Sequence, residues 1–190
     1  MNIVKLDIPE IIVYEPKVFD DERGCFFESF NQKTLEGVIG RKLEFVQDNY
    51  SVSKRGVVRG FHFQLPPMAQ GKLVHVVRGE VLDVVVDVRQ SSPSFGRWTS
   101  QLLTSDNRKR MWIPEGFAHG FLVISEVAEF NYKVTNFYCP EKEVTLSYSC
   151  IDLDWRRYLP IGVELLVSDK DKMGEQLDVL VSSERVFAQN

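Results

Sequence analysis

Three histidines occur in the 190-residue sequence, and two sit where proton transfer could be supported: His62 in VVRGFHFQ and His119 in IPEGFAHGF. An imidazole titrates near neutral pH, so it can take a proton in one step and return it in another. Two further polar side chains stand among apolar ones. Tyr132 shares strand parity with Phe130 and Val134, and Lys72 with Val74 and Val76, which puts a phenol and an amine on otherwise apolar faces. Plainer readings compete: a hydrogen-bonded core histidine for His62, a wall tyrosine for Tyr132, a turn marker for His119. Tyr138 rivals Tyr132, and His75, on the opposite face of its strand from Lys72, keeps the core reading.

Strands must position these groups. Short runs rich in Val, Ile, Phe and Tyr recur near 11–14, 25–30, 43–48, 57–64, 72–78, 80–89, 97–103, 109–113, 120–124, 129–137 and 143–149, separated by Gly, Pro, Asn, Asp or Ser. That spacing predicts a mainly β chain, a sandwich or barrel. From Val81 to Arg89 the sequence alternates, with Leu82, Val84, Val86 and Val88 on one face and Asp83, Val85 and Asp87 on the other, as in a half-buried strand. Helix is expected at Asn31–Ile39, stopped by Gly40, and after Ser168, with Leu177, Leu180 and Val181 as its apolar stripe. The length predicts one domain over 1–190, large enough to need no disulfide or structural metal.

Spacing carries the reading further. Gly56 precedes His62, and Pro114, Gly116 and His119 form P-x-G-x-x-H; together they resemble the paired motifs of cupins, double-sheet β-barrels of jelly-roll type with short peripheral helices. Metal-binding cupins gather imidazoles and a carboxylate on one ion. Here Gln64 replaces the second histidine, and Lys72 stands where the carboxylate belongs. An ammonium has no lone pair and repels a cation, so no bound metal is expected.

The strings VFDDERGCFFESFNQ, FVQDNYSVS, QGKLVHVVRGEVLDVVVDVR, MWIPEGFAHGFLV and AEFNYKVTNFY, with VVRGFHFQ, resemble the dTDP-4-dehydrorhamnose 3,5-epimerase family from residue 1 to about 137. Segment 139–165 matches less closely, before VSDKD restores the pattern. The resemblance implies cofactor-free epimerisation of a dTDP-linked 4-keto-6-deoxy sugar through enolates, within dTDP-L-rhamnose synthesis. It assigns the base to His62, the acid to Tyr132 and oxyanion stabilisation to Lys72. Asp171 would orient His62 by a hydrogen bond at Nδ1, with Asp83 as a rival orienter. Ser168, Asp169 and Asp171 could equally be cap and first-turn residues of the last helix. Substrate contacts would come from Arg23, Glu28, Gln47, Asp48, Asn49, Arg59, His119, Glu143 and Lys170. Phe19, Phe26 and Phe27 could stack on the base or fill core. The resemblance also implies a homodimer with N-terminal strands crossing between copies. A single-centre epimerase, a 3,4-ketoisomerase and a catalytically silent sugar-nucleotide binder are the alternatives.

Composition narrows the partners. Twenty-three basic against twenty-seven acidic side chains leave a net charge of -4, which argues against nucleic acid and anionic membranes as partners. An anionic ligand must therefore be gripped locally. Lys5, Asp7 and Glu10 interrupt the start of the chain where a signal peptide needs an apolar run, so a cytoplasmic location is expected. Cys25, Cys139 and Cys150 are odd in number with no C-x-x-C spacing, which predicts reduced, structural thiols.

Overall fold

The computed structural model describes residues 2–188. In chain order the strands are β1 (Asn2–Lys5), β2 (Ile12–Glu15), β3 (Val18–Asp21), β4 (Gly24–Phe27), β5 (Gln47–Lys54), β6 (Val57–Gln64), β7 (Lys72–Arg78), β8 (Glu80–Asp87), β9 (Trp98–Thr104), β10 (Arg110–Ile113), β11 (Phe117–Val123), β12 (Val127–Val134), β13 (Glu143–Thr145) and β14 (Leu166–Val167). Three short helices accompany them: α1 (Gln32–Ile39), α2 (Asp169–Lys172) and α3 (Leu177–Ser182). One sheet runs β1-β2-β10-β7-β12-β5, and the other β13-β6-β11-β8-β9, with β14 pairing parallel to β6. The two sheets face one another as the expected double-sheet barrel. Val74, Val76 and Phe130 from the first meet Val81, Val85, Phe117 and Phe121 from the second in an apolar core.

The alternation in β8 holds, but both faces are covered. Val81, Asp83 and Val85 point between the sheets, while Leu82, Val84 and Val86 pack under Leu146, Trp155, Leu180 and Val186. The C-terminal third of the chain thus forms a second apolar layer, and β8 is fully rather than half buried. Helix α1 forms as expected: Asn31 accepts from the Thr34 amide at 3.0 Å, and Gly40 closes it with φ 79°. The expected C-terminal helix is split in two. Between α2 and α3 the Glu175 amide donates to the Thr145 carbonyl at 3.0 Å, so the chain pairs with the end of β13 instead of continuing to coil.

The strand expected near 43–48 lies at 47–54, and β1, β3 and β14 were not anticipated. β5 escapes the pattern because its inner face carries Gln47, Asn49 and Ser51, which line a cavity rather than a core. Residues 43–46 are not strand; Leu43 and Phe45 pack with Trp112, Leu73 and α1 on the outside of the first sheet.

β6 and β11 approach unusually closely at a glycine pair. Gly60 has φ +113°, and a Cβ there would lie 2.5 Å from Gly120 Cα and 2.6 Å from the His119 carbonyl oxygen. A Cβ on Gly120 would meet the Arg59 carbonyl oxygen at 2.7 Å and Phe61 Cδ1 at 2.9 Å. This contact sets His62 directly opposite His119 across the ladder, with an irregularity in register just beyond. Gly120→Ala is therefore expected to cost about 1–3 kcal/mol, the usual penalty for forcing volume into a packed interior. At ~2–4 °C per kcal/mol for a chain of this size, a thermal melt should show the loss, and an unchanged midpoint would mean that the strands separate freely.

Candidate active site

A cavity of about 670 Å³ opens between the sheets at one end of the barrel. β14 pairs with the start of β6, so the chain leaving β14 turns into α2 beside His62. Ser168 caps that turn, accepting from the Asp171 amide at 3.1 Å. The cap and the catalytic pairing are compatible: Asp171 Oδ1 lies 2.6 Å from His62 Nε2, and the Gly60 amide donates weakly to Oδ2 at 3.5 Å. The carboxylate engages Nε2, not the expected Nδ1, which leaves Nδ1 as the nitrogen free for proton transfer. Burial works to raise the Asp171 carboxyl, but the bonds from His62 and Ser168 outweigh it and hold the group below its ordinary value.

Lys72 and Tyr132 reach the same cavity from the first sheet. The Lys72 ammonium donates to the His62 carbonyl oxygen at 3.0 Å, and burial lowers its pKa to about 8 against the pull of Asp83 and Glu143. Tyr132 is half-buried, and burial raises its hydroxyl above the usual value, so it stays protonated near neutral pH. Tyr138 also lines the cavity, but it is more exposed and its hydroxyl donates to Glu143 at 2.9 Å.

His119 is buried and does not share the His62 carboxylate. Its Nε2 lies 3.0 and 2.9 Å from the two oxygens of Asp83, which removes Asp83 as an orienter of His62. Burial lowers the His119 pKa and raises that of Asp83. Two separate His–carboxylate pairs therefore stand on neighbouring strands.

The wider cavity gathers Gln47, Asn49, Arg59, Glu143 and Lys170. Arg59 Nε donates to Ser53 Oγ at 3.0 Å, Gln47 Nε2 donates to Asn49 Oδ1 at 2.8 Å, and Lys170 pairs with Glu143. Burial tends to raise the Glu143 carboxyl, yet Lys170 and Tyr138 bring it below its ordinary value. Gln64 does structural work: its Nε2 donates to the Met68 and Phe137 carbonyls at 2.6 and 3.1 Å, and its Oε1 accepts from the Cys139 amide at 2.8 Å. Among the described residues, no group of three or more His, Cys, Asp and Glu side chains is arranged to hold a metal ion.

Three expected substrate contacts lie elsewhere in the chain. Strand parity turns Asp48 to the outer face, where Lys133 donates to it at 2.8 Å and Asn131 at 3.0 Å. Arg23 and Glu28 belong to the β3–β4 arm, which pairs with neither sheet. Arg23 is exposed and donates to Asp21, its neighbour in the hairpin turn, at 3.1 Å, while Glu28 accepts from Asn31 at 3.0 Å. Phe19 and Phe26 are exposed on the same arm, so neither fills core. Gln70 and Ser51 also line the cavity, and their types alone offered no signal.

The family model described as dTDP-4-dehydrorhamnose 3,5-epimerase matches residues 5–178, spanning the segment 139–165 as well. The chain belongs to the dTDP-4-dehydrorhamnose 3,5-epimerase family. A curated member from Shigella flexneri is 53% identical over 178 residues, covering 93% of this chain and 96% of the relative. One from Salmonella typhimurium is 49% identical over 186 residues, covering 97% and 100%. Among solved structures, a dTDP-6-deoxy-D-glucose-3,5-epimerase from Legionella pneumophila, in complex with dTDP-4-keto-L-rhamnose, superposes with a TM-score of 0.91 at 43% identity. That match covers 100% of this chain and 98% of the other. Membership of this epimerase family makes the chain an isomerase with a cupin-like jelly-roll barrel.

The lowered Asp171 carboxyl has a defined signature in stability. A depressed folded pKa adds stability above the unfolded value and loses it as the pH falls through the folded one. The gap in unfolding free energy between the parent and Asp171→Asn should therefore narrow as the pH drops below about 4. Denaturant titrations at pH 7 and pH 3 measure it, and a constant gap would show that ionisation of Asp171 contributes nothing.

Proposed function

We propose that this cavity inverts C3 and C5 of dTDP-4-dehydro-6-deoxy-D-glucose, giving dTDP-4-dehydro-L-rhamnose. Both centres flank the C4 ketone, so removing either proton gives an enolate that can be reprotonated on the opposite face. The reaction is redox-neutral, and its demands are a base, an acid and a donor at the developing oxyanion. His62 supplies the base through Nδ1, with Asp171 fixing the proton on Nε2 and stabilising the imidazolium once it forms. Lys72 faces the oxyanion, and Tyr132 returns a proton from the other side. The observation that carries this reading is the 2.6 Å His62–Asp171 pair opening on the same cavity as Lys72 and Tyr132.

The remaining polar wall grips the nucleotide. Arg59 and Lys170 offer cations to the diphosphate, the local grip that an acidic chain requires. Gln47, Asn49, His119 and Glu143 offer donors and acceptors to sugar and base. Arg23 and Glu28 serve a second copy: the β3–β4 arm crosses to the partner's cavity in a homodimer, with the whole of 1–190 acting as one catalytic domain in the cytoplasm. Asp48 faces away from the cavity and is left out of this assignment.

In deuterated water, His62→Ala is expected to lose about two to four decades of exchange at both C3 and C5 while retaining dTDP binding. Tyr132→Phe should still exchange deuterium but return it mainly to the original face, so exchange outlives inversion. NMR of one reaction reads both. Near-native exchange in His62→Ala would place the base elsewhere, native inversion in Tyr132→Phe would promote Tyr138, and inversion at one centre alone would indicate a single-centre epimerase. For the arm, sedimentation should show a dimer, and Arg23→Ala should raise KM with little change in kcat. A monomeric active enzyme would remove the arm from the site.

A further inference from the structure

Behind the cavity lies a carboxylate that the proposed reaction leaves unused. Asp83 is fully buried between the sheets, flanked on its own strand by Val81 and Val85 and paired across the ladder with Phe121. Among the described residues its only hydrogen-bond partner is His119, whose Nε2 approaches both oxygens at 2.9 and 3.0 Å. The His119 ring is itself clamped, stacked on Phe130 at 6.1 Å and tilted on Phe121 at 6.3 Å. A carboxylate with one partner in an apolar core is costly, and an apolar residue of similar size would pack there at less expense. Its partners explain why the cost is tolerated: Asp83 holds His119, which lines the cavity from the second sheet, and its charge acts on Lys72, which lines it from the first.

We infer that Asp83 is a positioning residue, fixing the His119 ring through Nε2–H and acting as the counter-charge that keeps Lys72 an ammonium where the enolate oxygen develops. The inference rests on the enolate reading of this cavity. Lys72 needs such a counter-charge because it is buried and its hydrogen bond goes to a neutral carbonyl, that of His62. The anions whose charge acts on it are Asp83 on β8 and Glu143 on β13, and His62 on β6, His119 on β11 and Tyr132 on β12 line the same cavity as Lys72. Glu143 is already engaged by Lys170 and Tyr138 at the rim. Asp83 is the fully buried carboxyl of the set, and the charges of His119 and Lys72 oppose the rise in its pKa that burial causes. With its oxygens on Nε2–H, His119 is held in one tautomer and presents Nδ1 as an acceptor. One carboxylate thereby orders two cavity groups carried by opposite sheets.

Asp83→Asn keeps the shape and an acceptor for Nε2–H but removes the charge, whereas Asp83→Ala removes both. Asp83→Asn is expected to bind dTDP with unchanged affinity by calorimetry and to lose about tenfold or more in kcat. That is a fraction of the ~10²–10³ attached to deleting an oxyanion donor outright. With the anion gone the Lys72 pKa falls below its present value of about 8, so the alkaline limb of kcat should move to lower pH. In 15N-histidine NMR the parent should show His119 protonated at Nε2, and Asp83→Ala should lose that preference. Protonation at Nδ1 in the parent, or an Asp83→Asn enzyme with unaltered kcat and alkaline limb, would overturn the inference. Should Asp83→Ala fail to fold, the parent tautomer and the Asp83→Asn profile decide it. If the parent exchanges no deuterium at all, the functional reading fails instead, and the tautomer together with the 15N titration of Lys72 in parent and Asp83→Asn still judges the role of Asp83.

Discussion

Moving a carboxylate or an ammonium from water into an apolar barrel costs roughly several kcal/mol per ion, even after the protein relaxes, unless each ion is partnered. That cost governs the arrangement of this interior. His62 brings Asp171, His119 brings Asp83, and Glu143 brings Lys170. Lys72, with a backbone carbonyl as its hydrogen-bond acceptor, responds by lowering its pKa. The partners arrive from different parts of the chain, so pairing the charges also closes the fold. β14 and α2 dock on β6 by placing Asp171 against His62, a contact that spans 109 residues of sequence.

Much of this was legible from residue types and spacing. The runs that became β6, β7 and β8 were bounded nearly to the residue, because each is rich in Val, Leu or Phe and Gly79 separates β7 from β8. α1 was readable because its N-cap and C-cap are side-chain and backbone events confined to the stretch from Asn31 to Gly40. β5 was displaced in the reading because its inner face is the polar wall of a binding site, and periodicity detects burial rather than pairing. Asp83 was visible as an inward carboxylate, but which histidine it served depended on a ladder register that sequence does not encode locally. The split between α2 and α3 had the same origin, a tertiary bridge to the end of β13 prevailing over helical propensity.

The assignments for Arg23, Glu28 and Asp48 show a different boundary. A motif reports a residue type at a position, but not which side of a strand it faces or whether its own chain's cavity includes it. Asp48 stands between Gln47 and Asn49, and alternation makes it impossible for all three to face one cavity from a regular strand. Arg23 sits on an arm on which Phe19 and Phe26 are exposed and whose two strands, among the described residues, pair only with each other. Neither Arg23 nor Glu28 of this arm lines the cavity of its own chain.

Gln64 ties the loops at the cavity rim together. It stands at the position from which metal-dependent barrels of this architecture reach their ion, yet its carboxamide ties three backbone groups, at Met68, Phe137 and Cys139. The side chain at that position is thus a loop tether. An imidazole there has two ring nitrogens and could not reproduce two donations and one acceptance together. Replacing Gln64 by histidine would therefore release the loops that shape the cavity rim, at Met68, Phe137 and Cys139, before any ion could be held.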